Sequence, residues 1–290
     1  MQIYKPEHVS ITQLSDMQKL SAVCNRHDNT AATVDIDESF RKADEINTFL
    51  LYENEELISL INLFTPTISE AELVAFTHPA QRRKGLFSML LTEAKAEILK
   101  RGINDFLFVS ERDSDDGQAV CRRMGADYEF SEYLMRYVNE NEMITRSNPS
   151  LKFRRSLPDD TDQLIELAII SNDESKEEAE HYIKSIFSSA NRIQHVAILN
   201  GRIVGMITSA IEQQTSYIHG LSVFPDYRKR GIGRDLLEFK TSESIRLHPQ
   251  NEIVLEVMTE NMAALSIYKR AGFVITTCFD YLRLSSDKII

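Results

Sequence analysis

The chain has 290 residues, 42% of them hydrophobic and 27% charged, with 33 Lys+Arg against 44 Asp+Glu and a formal net charge of −11. That length suits two domains of about 150 residues each, and the composition is that of an ordinary globular protein. The acidic balance argues against non-specific nucleic-acid binding, which needs clustered cations. Cys24, Cys121 and Cys278 lie far apart without paired or zinc-ligand spacing, which excludes a disulfide framework and a structural metal site and fits a cytoplasmic location.

Residues 1–9 hold a Lys, a Pro, a Glu and a His and no apolar run, so they do not read as a signal peptide. No apolar run approaches the ~20 residues that span a membrane. Pro79 and the basic run Arg82-Arg83-Lys84-Gly85 precede a helix expected over 86–100. A strand is expected over 103–109 and a closing strand over 128–137, while Asp115-Asp116-Gly117 should loosen the helix between them. The polar stretch 139–149 reads as a linker.

The second half opens on a short strand over 151–155, then two stretches with helical spacing of Leu, Ile and Ala, 159–170 and 174–187. Strands over 196–199 and 203–211 flank Asn200-Gly201, a hairpin signal because type I′ turns need positive φ at both central residues. A strand over 217–224 leads through Pro225-Asp226-Tyr227 into Arg228-Lys229-Arg230-Gly231-Ile232-Gly233. An amphipathic helix over 234–247, a buried strand over 253–257 and a helical segment from Asn261 to Gly272-Phe273 complete the chain's pattern. This alternation is that of an α/β layer architecture around a central sheet.

Strand, basic glycine loop and helix together aim backbone N–H groups and the positive end of a helix dipole at an anion. It is not a nucleotide P-loop, because no G-x-x-x-x-G-K-[ST] run is present. The R-x-x-G-x-G run at 228–233, followed by Ile253-Val254-Leu255-Glu256-Val257 and the N-x-x-A-x-x-x-Y-x-x-x-G-F pattern from Asn261 through Tyr268 to Phe273, resembles the GNAT superfamily of N-acetyltransferases. The first half carries a worn copy at an offset of 146 to 147 residues, with Pro79 matching Pro225, Arg82–Gly85 matching Arg228–Gly231, and Gly125 matching Gly272.

The resemblance implies two tandem GNAT-like acyl-CoA N-acyltransferase domains, 1–140 and 150–290, each with a mixed, mostly antiparallel central sheet flanked by helices. The copy is damaged where chemistry should sit. Phe87 replaces Gly233, Ser114 replaces Asn261, Val109 replaces Glu256, Cys121 replaces Tyr268, and Ala71 and Leu73 replace Tyr217 and His219. The first domain is therefore expected to be structural or to shape the substrate site, the alternative being that it still binds CoA through residues 82–85. The acidic excess sits there, 16 Lys+Arg against 25 Asp+Glu over residues 1–147 and 17 against 19 in the rest. Such a surface could attract a cationic amine or simply be solvated.

For the second domain, the resemblance implies direct acetyl transfer from acetyl-CoA to a primary amine, either a small amine or a protein N-terminus. Arg228, Lys229, Arg230, Gly231, Ile232 and Gly233 are expected at the pyrophosphate. Leu221, Ser222 and Val223 should line the pantetheine arm on a strand that splays from its neighbour after a bulge, with the Val223 N–H as a donor to the acetyl carbonyl, and Asn261 should cap its helix or bond the arm. Tyr268 is the expected acid. Glu256, the first choice, and His219 are the candidate bases, with Tyr217 on the same strand face as His219. His181, His195 and His248 are isolated and read as surface or core residues. The alternative function is a non-catalytic acyl-CoA sensor or interaction protein; the pattern implies no metal.

Overall fold

The computed structural model describes residues 1–34, 44–65, 70–138, 150–172, 175–212 and 214–289, so the linker expected over 139–149 lies outside the described residues. The chain divides into two compact units, Met1–Glu132 with Thr277–Ile290, and Tyr133–Thr276. This division differs from 1–140 and 150–290 because the last strand leaves the second unit and ends in the first. Among the described residues no helix is long and apolar enough to cross a membrane.

The first unit runs β1 (Gln2–Tyr4), α1 (Ile11–Asp28), β2 (Thr48–Glu53), β3 (Glu56–Phe64), β4 (Glu70–Thr77), α2 (Leu86–Lys100), β5 (Asp105–Glu111), α3 (Asp115–Met124) and the start of β6 (Asp127–Tyr137). Strands β1 to β5 lie side by side, antiparallel except for the β4–β5 pair, which is parallel. Strand alternation sends Phe49, Leu51 and Ile61 to one face, against Leu90, Leu91, Ala94 and Ile98 of α2. It sends Leu50 and Leu60 to the other, against Met17, Leu20 and Cys24 of α1.

Helix α1 opens in a capping box. Ser10 Oγ accepts the Gln13 N–H at 3.2 Å, and Gln13 Oε1 accepts the Ser10 N–H at 2.9 Å. Helix α3 is continuous through Gly117, so Asp115-Asp116-Gly117 does not loosen it. The Ser114 hydroxyl caps it, and the two aspartates occupy its first turn, where the helix dipole favours negative charge.

The second unit continues with β7 (Leu151–Arg155), α4 (Thr161–Asn172), α5 (Lys176–Ser188), β8 (Arg192–Leu199), β9 (Arg202–Glu212), β10 (Thr215–Val223), α6 (Ile232–Leu247), β11 (Glu252–Met258), α7 (Met262–Arg270) and the start of β12 (Phe273–Ser285). Strands β7 to β10 are antiparallel neighbours, and β10 and β11 are parallel. The β8–β9 turn has φ of 52° at Asn200 and 80° at Gly201, as the sequence requires of a type I′ hairpin. Val204 and Ile207 face α6 and α7, while Ile203 and Met206 face α4 and α5. Beyond Thr276, β12 pairs antiparallel with β5, from Phe279↔Glu111 to Ser285↔Asp105. There Leu282 and Leu284 join the first unit's core.

Candidate active site

After β10 a single turn over Pro225–Tyr227 turns the chain, Lys229 takes φ 60° and Gly231 φ 84°, and α6 begins at once at Ile232. No side chain caps this helix start, so its first N–H groups remain for a ligand. Arg228, Lys229 and Arg230 are all exposed. Arg228 Nε donates to the Val223 carbonyl at 2.9 Å, and Arg230 lies 5.3 Å over the Tyr227 ring. The Ile232 side chain is core.

Gly233 tests whether a cofactor fits. A Cβ there would meet only Val223 Cγ2 at 3.7 Å and Ile267 Cδ1 at 3.8 Å, ordinary contacts, and its φ is not in the left-handed range. Neither packing nor backbone geometry demands glycine at this position. A group lying against the first turn of α6 is what a side chain would displace, as the pyrophosphate of acetyl-CoA would.

The parallel pairing of β10 with β11 runs from Thr215↔Glu252 to Ile218↔Leu255. Both strands then run on, to Val223 and Met258, without further ladder pairs among these described residues. On its other edge β10 shifts register between His219↔Thr208 and Ser222↔Met206, a β-bulge centred on Gly220 at φ 63°. Past the bulge, the Phe224 N–H donates to Val204 O of β9 at 3.1 Å. Alternation therefore turns the Val223 N–H the opposite way, toward the gap left by β11. Ser222 is buried, and Leu221 packs against the core beside the gap.

Candidate acid and bases flank this gap on opposite faces. Ile218 and Leu255, the last paired residues, both face the core that holds α6 and α7. Tyr268 of α7 lies in that core, 9% exposed, and its hydroxyl has no hydrogen-bond partner among the described residues. Burial alone pushes the Tyr268 phenol up to about 12. His219 and Glu256 follow Ile218 and Leu255 and so share the opposite face, with Tyr217. His219 is half-buried and its Nδ1 lies 3.1 Å from Tyr182 Oη; Glu256 is exposed. Asn261 acts as the N-cap of α7, accepting the Ala264 N–H at 3.1 Å.

Sequence reasoning missed Tyr182 and Gly220. Tyr182, on α5, also donates toward Thr208 Oγ1 at 3.5 Å, and a Cβ on Gly220 would collide with its hydroxyl. Of the three remaining histidines of the second unit, His195 is a core residue, with Lys240 Nζ 3.1 Å from its Nδ1 and Glu243 3.3 Å from its Nε2.

The first unit keeps the framework and loses the bulge. β4 and β5 pair from Glu70↔Asp105 to Leu73↔Phe108 and then part, but β4 pairs with β3 without any register shift. Buried positions tell the same story: Ala71, Leu73 and Phe76 in β4 against Ser216, Ile218 and Ser222 in β10, one residue more before the last. Upstream of the bulge the two copies are therefore offset by 145. Structurally Glu72 and Val74 stand where Tyr217 and His219 do, correcting the match to Ala71 and Leu73 at an offset of 146. Cys121 is buried, and burial lifts its thiol to about 11, which keeps it protonated and unreactive near neutral pH.

Residues 161–273 match the Acetyltransferase (GNAT) family model. Over 79 residues the chain is 34% identical to an uncharacterised N-acetyltransferase of Methanocaldococcus jannaschii, covering 27% of this chain and 51% of that protein. Over 74 residues it is 30% identical to the ribosomal protein bS18 alanine N-acetyltransferase of Escherichia coli K12, covering 26% and 49%. The chain thus spans about half the length of these curated relatives. The solved structure of a tandem GNAT protein from the clavulanic acid biosynthesis pathway matches 98% of this chain and 99% of its own, with a TM-score of 0.71 at 11% identity, a likeness of fold. Bulge, parting strands, glycine loop and these matches together place residues 161–273 in the GNAT acetyltransferase family, within a chain that has the fold of a tandem GNAT protein.

Proposed function

We propose that the C-terminal unit transfers an acetyl group from acetyl-CoA directly to a primary amine, a small amine or a protein N-terminus. The observation that carries this reading is the gap between β10 and β11, which has the Val223 N–H at its edge, Tyr268 on one face, and His219 with Glu256 on the other. The N-terminal amine acceptor is supported by the likeness to the bS18 alanine N-acetyltransferase. The donor, when bound, supplies a thioester carbonyl.

The N–H groups at 231–233 hold the pyrophosphate, with Arg228, Lys229 and Arg230 as surrounding charge. Leu221 and Ser222 border the pantetheine arm, and Asn261 holds the start of α7 in place beside it. The Val223 N–H stabilises negative charge that develops on the carbonyl oxygen. His219 takes the amine proton. In the tautomer that donates Nδ1–H to Tyr182 Oη, with the Tyr182 hydroxyl turned to Thr208, Nε2 keeps the basic lone pair. An imidazole's ordinary pKa suits this work better than that of the exposed Glu256 carboxylate, which attracts the incoming ammonium instead. Tyr268 donates a hydrogen bond to the departing sulfur.

The direct test is release of CoA thiol from acetyl-CoA by the full chain, offered peptides with a free N-terminal alanine, the same peptides N-blocked, and a panel of small amines. Release that needs a free amine is expected; release no faster than hydrolysis with every acceptor rejects the reading.

A further inference from the structure

The first unit retains a cleft of about 390 Å³ where β4 and β5 part, enclosed by α1, α2 and α3. Its chemistry is unsuited to a phosphate-tailed thioester. Phe87 occupies the first turn of α2, where the second unit has Gly233, and the unbulged β4 stays paired to β3 through Thr77. Arg82 is already neutralised: its guanidinium bonds Asp28 at 2.8 and 2.6 Å and Asp116 at 2.7 Å. The other cations lining the cleft, Arg83 and Arg123, are exposed and screened by water.

Glu111 is the anomaly in this cleft. It ends β5, is 7% exposed and lines the cavity. Its carboxylate accepts two backbone N–H groups, from Ala31 at 2.5 Å and from Ala32, yet no Lys, Arg or His among the described residues pairs with it. Burial pushes its pKa up against the pull of the Ala31 and Ala32 N–H groups, and the nearby Asp113 charge adds to the rise. Buried carboxylates are normally matched by a cation. The same cleft is lined by Phe76, packed with α1 on the side of Glu111, and by Phe87 and Phe108 on the α2 side, these two edge-to-face at 6.2 Å. The C-terminal end of α1, whose last residue Asp28 also lines the cavity, favours a positive charge.

We propose that this cleft is a second small-molecule site, binding a hydrophobic amine as its ammonium ion with Glu111 as counter-ion and Phe76, Phe87 and Phe108 as the apolar wall. Nothing in it depends on acetyl transfer by the other unit.

The chain has no tryptophan, so Phe87→Trp in the full chain gives a fluorophore that reports on this cleft alone. Phenethylamine is expected to change its emission saturably. 2-Phenylethanol, of similar shape without the charge, should bind at least about tenfold more weakly. Adding Glu111→Gln should weaken the amine by a similar factor, with the thermal melt showing that the variant folds. Calorimetry of the tryptophan-free chain against Glu111→Gln alone serves if Phe87→Trp does not fold; amine affinity at one site should fall by a similar factor. Equal binding of amine and alcohol, amine binding indifferent to Glu111→Gln, absence of amine binding, or displacement of the amine from the reporter by acetyl-CoA would each overturn the assignment.

Discussion

Tyr268 shows how one side chain can be poised without being strongly acidic. Burial holds its phenol at about 12, well above the ~8.5 typical of a thiol. A proton passed outright to the leaving sulfur would therefore run uphill; a hydrogen bond to it would not. Tyr268→Phe is accordingly expected to lower kcat by about 10- to 100-fold while leaving acetyl-CoA affinity nearly unchanged. Because the raised pKa keeps the proton on throughout the working range, no alkaline limb of the rate profile below about pH 11 should belong to this residue. Ultraviolet titration should show a tyrosine ionising near pH 12 that is missing in Tyr268→Phe. Loss of cofactor binding with kcat unchanged would assign Tyr268 to packing instead. The same scale shows what a sequence can and cannot say: Tyr268 is found by its place in a helix motif, whereas Tyr182 is found only because α5 folds back over β10.

Among the elements, local chemistry was the most legible. The Asn200-Gly201 hairpin, the strand over 151–155 and the helix over 86–100 follow from turn residues and apolar spacing, and the structure has them at those positions. The resemblance implies a bulge in β10 but not its place, because an offset of 146 carried up the strand hides a single inserted residue; the ladder to β9 sets it between His219 and Ser222. Asn54-Glu55 forms the first unit's matching β2–β3 turn, with both φ positive, but lacks the glycine that marks Asn200-Gly201.

The Arg82 fork is a tertiary link of the same kind, tying the ends of α1 and β4 to α3. The Arg82 guanidinium holds the Asp28 carboxyl below its ordinary value. The folded pKa is thus depressed, so the stabilisation is present above the unfolded value of about 3.9 and lost as pH falls through the folded one. Arg82→Ala should destabilise by about 1–3 kcal/mol at pH 7, these side chains being mostly but not fully buried. In urea melts at successively lower pH the difference should shrink toward zero below pH ~4. A deficit unchanged down to pH 2 would mean that Arg82 acts through its packing.

For the whole molecule the proposed function raises the question of how many copies of the site bind the donor. Strand exchange at β12 was invisible in the sequence because the β5–β12 ladder joins residues more than 160 positions apart. It means that the chain's last residues, beyond Thr276, complete the first unit's core through Leu282 and Leu284, a structural reason for a worn copy to persist. Only the second unit combines the bulge, the uncapped helix start and Gly233. Calorimetry of the full chain should therefore give one acetyl-CoA per chain. Gly233→Ala supplies the internal control, since the chain itself has room for the methyl. Inside a helical turn that change should add about 0.5–1 kcal/mol of stability, yet weaken acetyl-CoA by about tenfold or more as the methyl holds the pyrophosphate off the N–H groups. A higher melting temperature with weaker binding would separate the ligand's need for glycine from the fold's. Two equivalent acetyl-CoA sites, or binding indifferent to Gly233→Ala, would mean that the first unit's loop at 82–87 remains competent despite Phe87 and the neutralised Arg82.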